Sequence, residues 1–231
     1  MVAIRKSLPL AMSLPLARQI IGGDLGSTSK MPGHSWGIAA SACARGSVLA
    51  MQPDTVCSRC YAMRGHYACP SVVNAHERRA AGLADPRWVQ AMAYLLRAYD
   101  ERHFRWFDSG DLQSVDHLAK ICQVASRTAH TRHWLPTHEP FIVGQYLAGG
   151  GIVPPNLVIR ISADHIEDRP TTDTYGMCTA TVHKHRGEPV PAPGGNRKHS
   201  IECRAHVREH RCGPCRACWD PRVKNVSYPL T

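Results

Sequence analysis

Long apolar runs are what this 231-residue chain lacks first. No stretch reaches the ~20 residues that a membrane-spanning helix needs. The nearest, SLPLAMSLPLARQIIGG from Ser7 to Gly23, is broken by Pro9 and Pro15. Its basic start, Arg5 and Lys6, leads into an apolar region too interrupted for a secretory leader. These absences argue against a membrane partner and place the protein in a cytoplasm. Aromatic residues are also few, three Phe, five Trp and seven Tyr, which leaves little for an extended base-stacking platform. Acidic residues are outnumbered, 18 against 28 Lys and Arg, so the formal charge is +10. That balance permits nucleic acid as a partner through a basic surface, and equally describes a merely soluble basic protein. The length suits one sizeable core rather than two.

Cysteine is the residue in surplus, with ten copies. In a reducing compartment thiols stay free, so clustered cysteines there point to metal. Cys43, Cys57 and Cys60 form an early group, with Cys69 just beyond, and Cys203, Cys212, Cys215 and Cys218 form a late one. Cys122 sits in VDHLAKICQVAS, whose Val115, Leu118, Ile121, Cys122 and Ala125 repeat at helical spacing, so it reads as a buried structural thiol. Cys178 stands alone and, like Cys69, is a weaker ligand candidate.

Between the groups the chain alternates. Pro70 to Arg102 reads as two helices parted near Asp85 and Pro86. A strand over HFRWFDSGDL leads to a helix from Val115 to Thr128, and a second strand, Thr131 to Glu139, leads to a short helix over PFIVGQYLAGG. Further strands are expected at Asn156 to Asp164 and Cys178 to His183. Strands alternating with helices predict an α/β fold: a partial, incomplete TIM-like barrel of parallel strands with a Cys-rich C-terminal tail. The expected organisation is an N-terminal extension over 1–30, the partial barrel with its metal loop over 31–184, and a Pro/Gly linker with a metal-binding tail, an appendage, over 185–231.

A parallel sheet puts its chemistry at the carboxyl ends of its strands. Polar residues fall there: Asp108, Ser109 and Asp111 after the first expected strand, Thr137, His138 and Glu139 after the second, Ser162 and Asp164 after the third. Each is also an ordinary helix cap on its own, yet three polar strand ends in series would line one rim.

Thiolates separated by two residues converge on one centre. Cys212, Cys215 and Cys218 show that spacing twice, a pattern more familiar in iron–sulfur clusters than in zinc sites. Cys203 supplies a fourth ligand, with His206 and His210 as substitutes and zinc as the alternative metal. The early three leave one iron of a 4Fe–4S cluster open. One shared cluster or two separate ones remain the alternatives, and the completeness of the late set favours two.

The early segment, SACARGSVLAMQPDTVCSRCYAMRG, resembles the radical S-adenosylmethionine enzymes, in which three cysteines on the first loop of a partial α/β barrel hold such a cluster and an aromatic residue follows the last. Tyr61 stands in that place, although thirteen residues separate Cys43 from Cys57, where that superfamily has three. The resemblance implies S-adenosylmethionine as a cofactor, with Ser109, Gly110 and Asp111 as the turn that grips its amino group and Thr137, Glu139 and Ser162 on the same rim. Over nearly the whole chain, KMPGHSWGIAASAC, VCSRCYAMRGHY, FRWFDSGDLQSVDHLAKI, HWLPTHE, NLVIRISA and CGPCRACWDPRVKNVSYP resemble the phage family called gene product 88. That resemblance implies a phage origin, the cytoplasm of an infected host and an iron–sulfur cluster. Two functions are therefore expected as alternatives: a redox or radical enzyme, or a non-enzymatic iron–sulfur or zinc protein with a structural, redox-sensing or nucleic-acid-binding role.

Overall fold

The expected helices form for local reasons in the computed structural model, which describes residues 11–28, 30–169, 174–195 and 199–230. Residues 1–10 of the expected extension and 196–198 of the expected linker lie outside the described residues. In chain order the helices are α1 (Leu14–Ile20), α2 (Ala44–Ala50), α3 (Pro70–Gly82), α4 (Trp88–Ala98), α5 (Val115–Arg127) and α6 (Pro140–Ala148). Pro70 opens α3 in its first turn, where its missing N–H costs nothing. Asp85 holds the break before α4 by accepting the Arg87 N–H at 2.8 Å. Ser114 caps α5, its hydroxyl accepting the His117 N–H at 3.1 Å, and the helix then buries Leu118, Ile121, Cys122 and Ala125 as the periodicity requires.

Among the described residues seven strands, β1 (Ser35–Trp36), β2 (His103–Trp106), β3 (Arg132–Thr137), β4 (Leu157–Ser162), β5 (Cys178–His183), β6 (Ser200–Glu202) and β7 (Asn225–Pro229), make one sheet. Its order is β1-β2-β3-β4-β5-β7-β6, every pair is parallel, and the sheet is open, with β1 and β6 at its edges. The four strands read from the sequence are all present; β1, β6 and β7 are additions.

The expected appendage is a correction. The tail supplies β6 and β7, and β7 lies between β5 and β6 rather than outside the sheet. Its NVSYP sequence carries no apolar alternation because its buried side chains are satisfied by hydrogen bonds instead. Asn225 donates to Thr181 Oγ1 at 2.9 Å and to the Val190 carbonyl at 2.8 Å, and Ser227 Oγ meets His183 Nδ1 at 2.7 Å. The N-terminal segment is likewise built in: α1 packs on α4 and buries Ala17 and Ile20.

One face of the sheet meets the helices. Trp36, Phe104, Trp106, Ile159 and Ile161 there pack with Trp88, Leu95, Leu96, Leu118 and Ile121, each such burial contributing about 2 kcal/mol. The opposite face carries Arg105, Trp134 and Arg160, and the tail covers it. Trp219 donates its indole N–H to the Phe104 carbonyl at 2.9 Å and meets Trp134 edge to face, centroids 5.3 Å apart. Arg160, fully buried, donates to the carbonyls of Ala217, Cys218, Asp220 and Val223 at 2.8 to 3.1 Å and to that of Thr179 at 3.3 Å. A single guanidinium thus serves as the peg on which the tail is hung.

Candidate metal centres at the strand ends

The carboxyl ends of β1 and β2 meet so closely that only glycine fits. A Cβ on Gly110, whose φ is +80°, would stand 2.4 Å from Ile38 Cγ1, and one on Gly37 would stand 2.5 Å from the Ser109 carbonyl oxygen. The expected polar rim then assembles beyond them. Asp111 is buried, and burial raises its pKa despite nearby His138 and the hydrogen bonds it accepts. Its Oδ1 accepts from Thr137 Oγ1 at 2.6 Å and from the Leu112 N–H at 2.7 Å, and its Oδ2 from the His138 N–H at 2.7 Å. Thr137 Oγ1 also accepts the Glu139 N–H at 3.0 Å, and Glu139 Oε1 accepts the Arg45 N–H at 2.9 Å. Arg45 grips Asp164 with two nitrogens, and His138 Nδ1 lies 3.4 Å from the same carboxylate. Burial alone would lower His138, but Asp164 and Cys57 push it up to about 10; burial would raise Asp164, but His138 and Arg45 hold it at about 2. Ser162, half-buried, is the last residue of β4, in register with Ala180.

The early cysteines sit on this rim. Cys43 ends the loop after β1 and begins α2. The thirteen residues before Cys57 hold that helix and a return in which Thr55 bridges His165 and the Val56 N–H meets the Asp164 carbonyl at 2.8 Å. A Cβ on Gly46 would stand 3.6 Å from Cys57 Sγ and 3.7 Å from Cys43 Sγ, so both sulfurs face one glycine. Burial raises the Cys43 thiol, and Asp111, Cys60, Cys57 and Glu139 raise it further. Cys60 is raised by burial and by Cys57, against the pull of the Ala62 N–H. Around this opening Val48, Met51, Tyr61, Met63 and Phe141 are exposed.

The late cysteines lie in the tail, between β6 and β7. Cys203 follows β6 and ties back through its N–H to the Ser227 carbonyl at 2.8 Å, and the Cys212 N–H reaches the Lys30 carbonyl at 2.9 Å. Cys218 Sγ lies 3.3 Å from Tyr228 Oη. Burial pushes Cys218 up to about 12; Tyr228 and Arg160 oppose this, while Cys203 and Cys212 add to it. Burial likewise raises Cys212, with Cys203 and Cys215 adding to it. His206 spends Nδ1 on the Cys203 carbonyl at 3.2 Å. Cys69 is exposed, while Cys122 and Cys178 are buried away from either group, the first beside Tyr146 and the second 3.6 Å from the Pro221 carbonyl.

The donor sets fit a thiolate-bound centre in their chemistry. Each set crowds thiols whose ionisation is mutually opposed, the penalty that a cationic centre removes. Among the described residues no group of three or more His, Cys, Asp or Glu is gathered to hold one metal ion. A single zinc requires sulfurs about 4 Å apart, since each lies ~2.3 Å from the ion, whereas a four-iron cluster takes each thiolate on a different iron.

Several residues of this region gave no strong sequence signal. Arg45 and Tyr67 belong to no motif that the sequence shows. Arg160 was visible only as a charge inside an apolar strand. Asp108, expected from the sequence as a strand-end acid, is the most informative residue of the rim: it is 7 % exposed, its Oδ2 accepts from Tyr67 Oη at 3.1 Å, and among the described residues its Oδ1 has no partner, nor has the buried Ser109 hydroxyl. Asp111, by contrast, is already engaged on both oxygens.

A family model described as gene product 88 matches residues 26–221. No curated protein and no solved structure matches the chain. Among the described residues, no helix is long and apolar enough to cross a membrane.

Proposed function

The chain belongs to the gene product 88 family, and from that premise we propose that it is an iron–sulfur phage protein on a partial barrel of the radical-S-adenosylmethionine kind, acting in the cytoplasm of the infected host. The observation that carries this reading is the early set: Cys43, Cys57 and Cys60 stand on the loop after the first strand, over a rim of buried carboxylates. These three would hold a 4Fe–4S cluster with one iron open, and Cys203, Cys212, Cys215 and Cys218 would hold a second, fully ligated one.

When bound, S-adenosylmethionine at an open iron supplies radical chemistry. This chain's own part is to position it, and the acceptors with capacity left are Asp108 Oδ1 and the Ser109 hydroxyl, with Asp111 bracing the β2 and β3 ends behind them. Arg45 and His138 keep Asp164 ionised beside Cys57. A second reading, a non-enzymatic cluster or zinc protein, is favoured by the late set, which offers four half-buried thiols, Cys218 among them beside Tyr228. Anaerobic purification with iron and sulfide analysis tests both. A visible absorbance band that bleaches with dithionite is the expected result; stoichiometric zinc in a colourless protein would sink the iron–sulfur reading.

A further inference from the structure

One cation stands between the two cysteine sets. Arg105, on β2, donates from Nη2 to Tyr61 Oη at 3.0 Å, and Tyr61 directly follows Cys60. Its Nη1 reaches Met31 Sδ at 3.8 Å, next to Lys30, whose carbonyl takes the Cys212 N–H. Its Cζ lies 4.7 Å from the Trp134 ring centroid, and Trp134 meets Trp219, the residue after Cys218. The same charge acts on Cys212 and on Tyr228, the partner of Cys218. Arg64 acts on Cys60, and Arg216 on Cys212.

We propose that Arg105 is a positioning residue shared by both cysteine centres, raising the reduction potential of each and joining them into one redox unit. The proposal rests on the iron–sulfur reading above. A one-electron reduction adds negative charge to a cluster, and a fixed cation in a poorly screened setting stabilises the reduced form. Because Arg105 bonds Tyr61 of the early loop and its charge reaches Cys212 of the late one, it does this for both centres and eases the repulsion between two reduced clusters. It is anchored for that position: Tyr61 holds one end of the guanidinium and the Trp134 face holds its plane.

The test is a dithionite redox titration of the full-length, anaerobically purified protein, followed by electron paramagnetic resonance with iron counted in every variant. Arg105→Gln is expected to lower the constant for reducing each cluster about tenfold, which is ~59 mV for one electron. Arg105→Lys keeps the charge and should retain most of both potentials. Arg64→Gln should move only the early signal and Arg216→Gln only the late one. At full iron content, an Arg105→Gln variant that moves one signal or neither overturns the proposal. Should that variant lose iron, Tyr61→Phe decides: with its early-side anchor gone, the guanidinium serves the late set alone, so the early potential falls while the late one holds or rises. Equal shifts, or none, overturn the proposal. A wild-type protein that carries no iron in either set defeats the iron–sulfur reading itself and this proposal with it.

Discussion

The early and late cysteine sets use the same ligand chemistry in opposite settings. The early thiols lie on a loop over the strand ends, beside charged side chains and an opening edged by exposed Met51, Met63 and Phe141. The late thiols, half-buried like the early ones, lie in the tail that covers the other face of the sheet, where Cys218 meets Tyr228 and Arg160 pegs the segment around it. A site built for access must keep its polar groups charged and leave one side uncovered. A site built for permanence satisfies its backbone. On the iron–sulfur reading proposed above, the difference fits reactivity at the first and stability or electron storage at the second.

The comparison breaks most visibly at Arg160. Arg160→Met would leave the carbonyls of Ala217, Cys218, Asp220 and Val223 buried without donors, and should cost roughly 4 kcal/mol in urea unfolding. It should also release the late metal while the early metal stays. Loss of both together would show that the sets are not independent. Truncation after Pro193 cannot make this separation, because it removes β6 and β7 from the sheet.

Point changes in the thiols come next. Cys57→Ser or Cys60→Ser should remove about half of the iron and Cys215→Ser the other half, while Cys122→Ser should leave it intact, because thiolates are the ligands. Total loss from any one change would point to a single shared cluster.

Acid separates global unfolding from site loss. His117 is buried among Trp36, Trp88 and Phe107 with no hydrogen bond at either ring nitrogen among the described residues, and burial, aided by Lys120, lowers it to about 4. The unfolded chain takes its proton first, near pH 6.5, so this stabilisation is present above that pH. It is lost as pH falls toward about 4, roughly 3 kcal/mol in all. His117→Phe should flatten the acid limb of a stability-against-pH curve without changing the metal content at pH 8; an unchanged limb would remove His117 as its cause.

The smallest expected effect distinguishes two neighbouring carboxylates. If S-adenosylmethionine alters the resonance spectrum of the reduced protein, Asp108→Asn should weaken the change several-fold. Asp111→Asn, which keeps an acceptor oxygen for Thr137, should weaken it less. The reverse order would restore Asp111 as the grip.

Much of this was legible in advance where local chemistry decides. α5 was readable because Val115, Leu118, Ile121, Cys122 and Ala125 share one face and Ser114 caps it. β4 was readable from its alternation of apolar and polar residues. β1 spans two residues, too short for any period, and β7 hides because Asn225 and Ser227 are buried by hydrogen bonding rather than by hydrophobicity. Asp111 was visible as a strand-end acid, but the fact that Thr137 and His138 occupy its oxygens was not.

By itself the sequence determined the helix and strand periods, the two cysteine groupings and the strand ends at which polar residues collect, because these depend on spacing within a few residues. Only the tertiary structure decided that the tail enters the sheet through β7, that Arg160 receives it, and that Arg105 stands between the two thiol sets. Those facts join residues that lie some 40 to over 100 positions apart, and the free energy that selects them comes from burying a guanidinium among carbonyls and an indole against a strand, terms that no local pattern encodes.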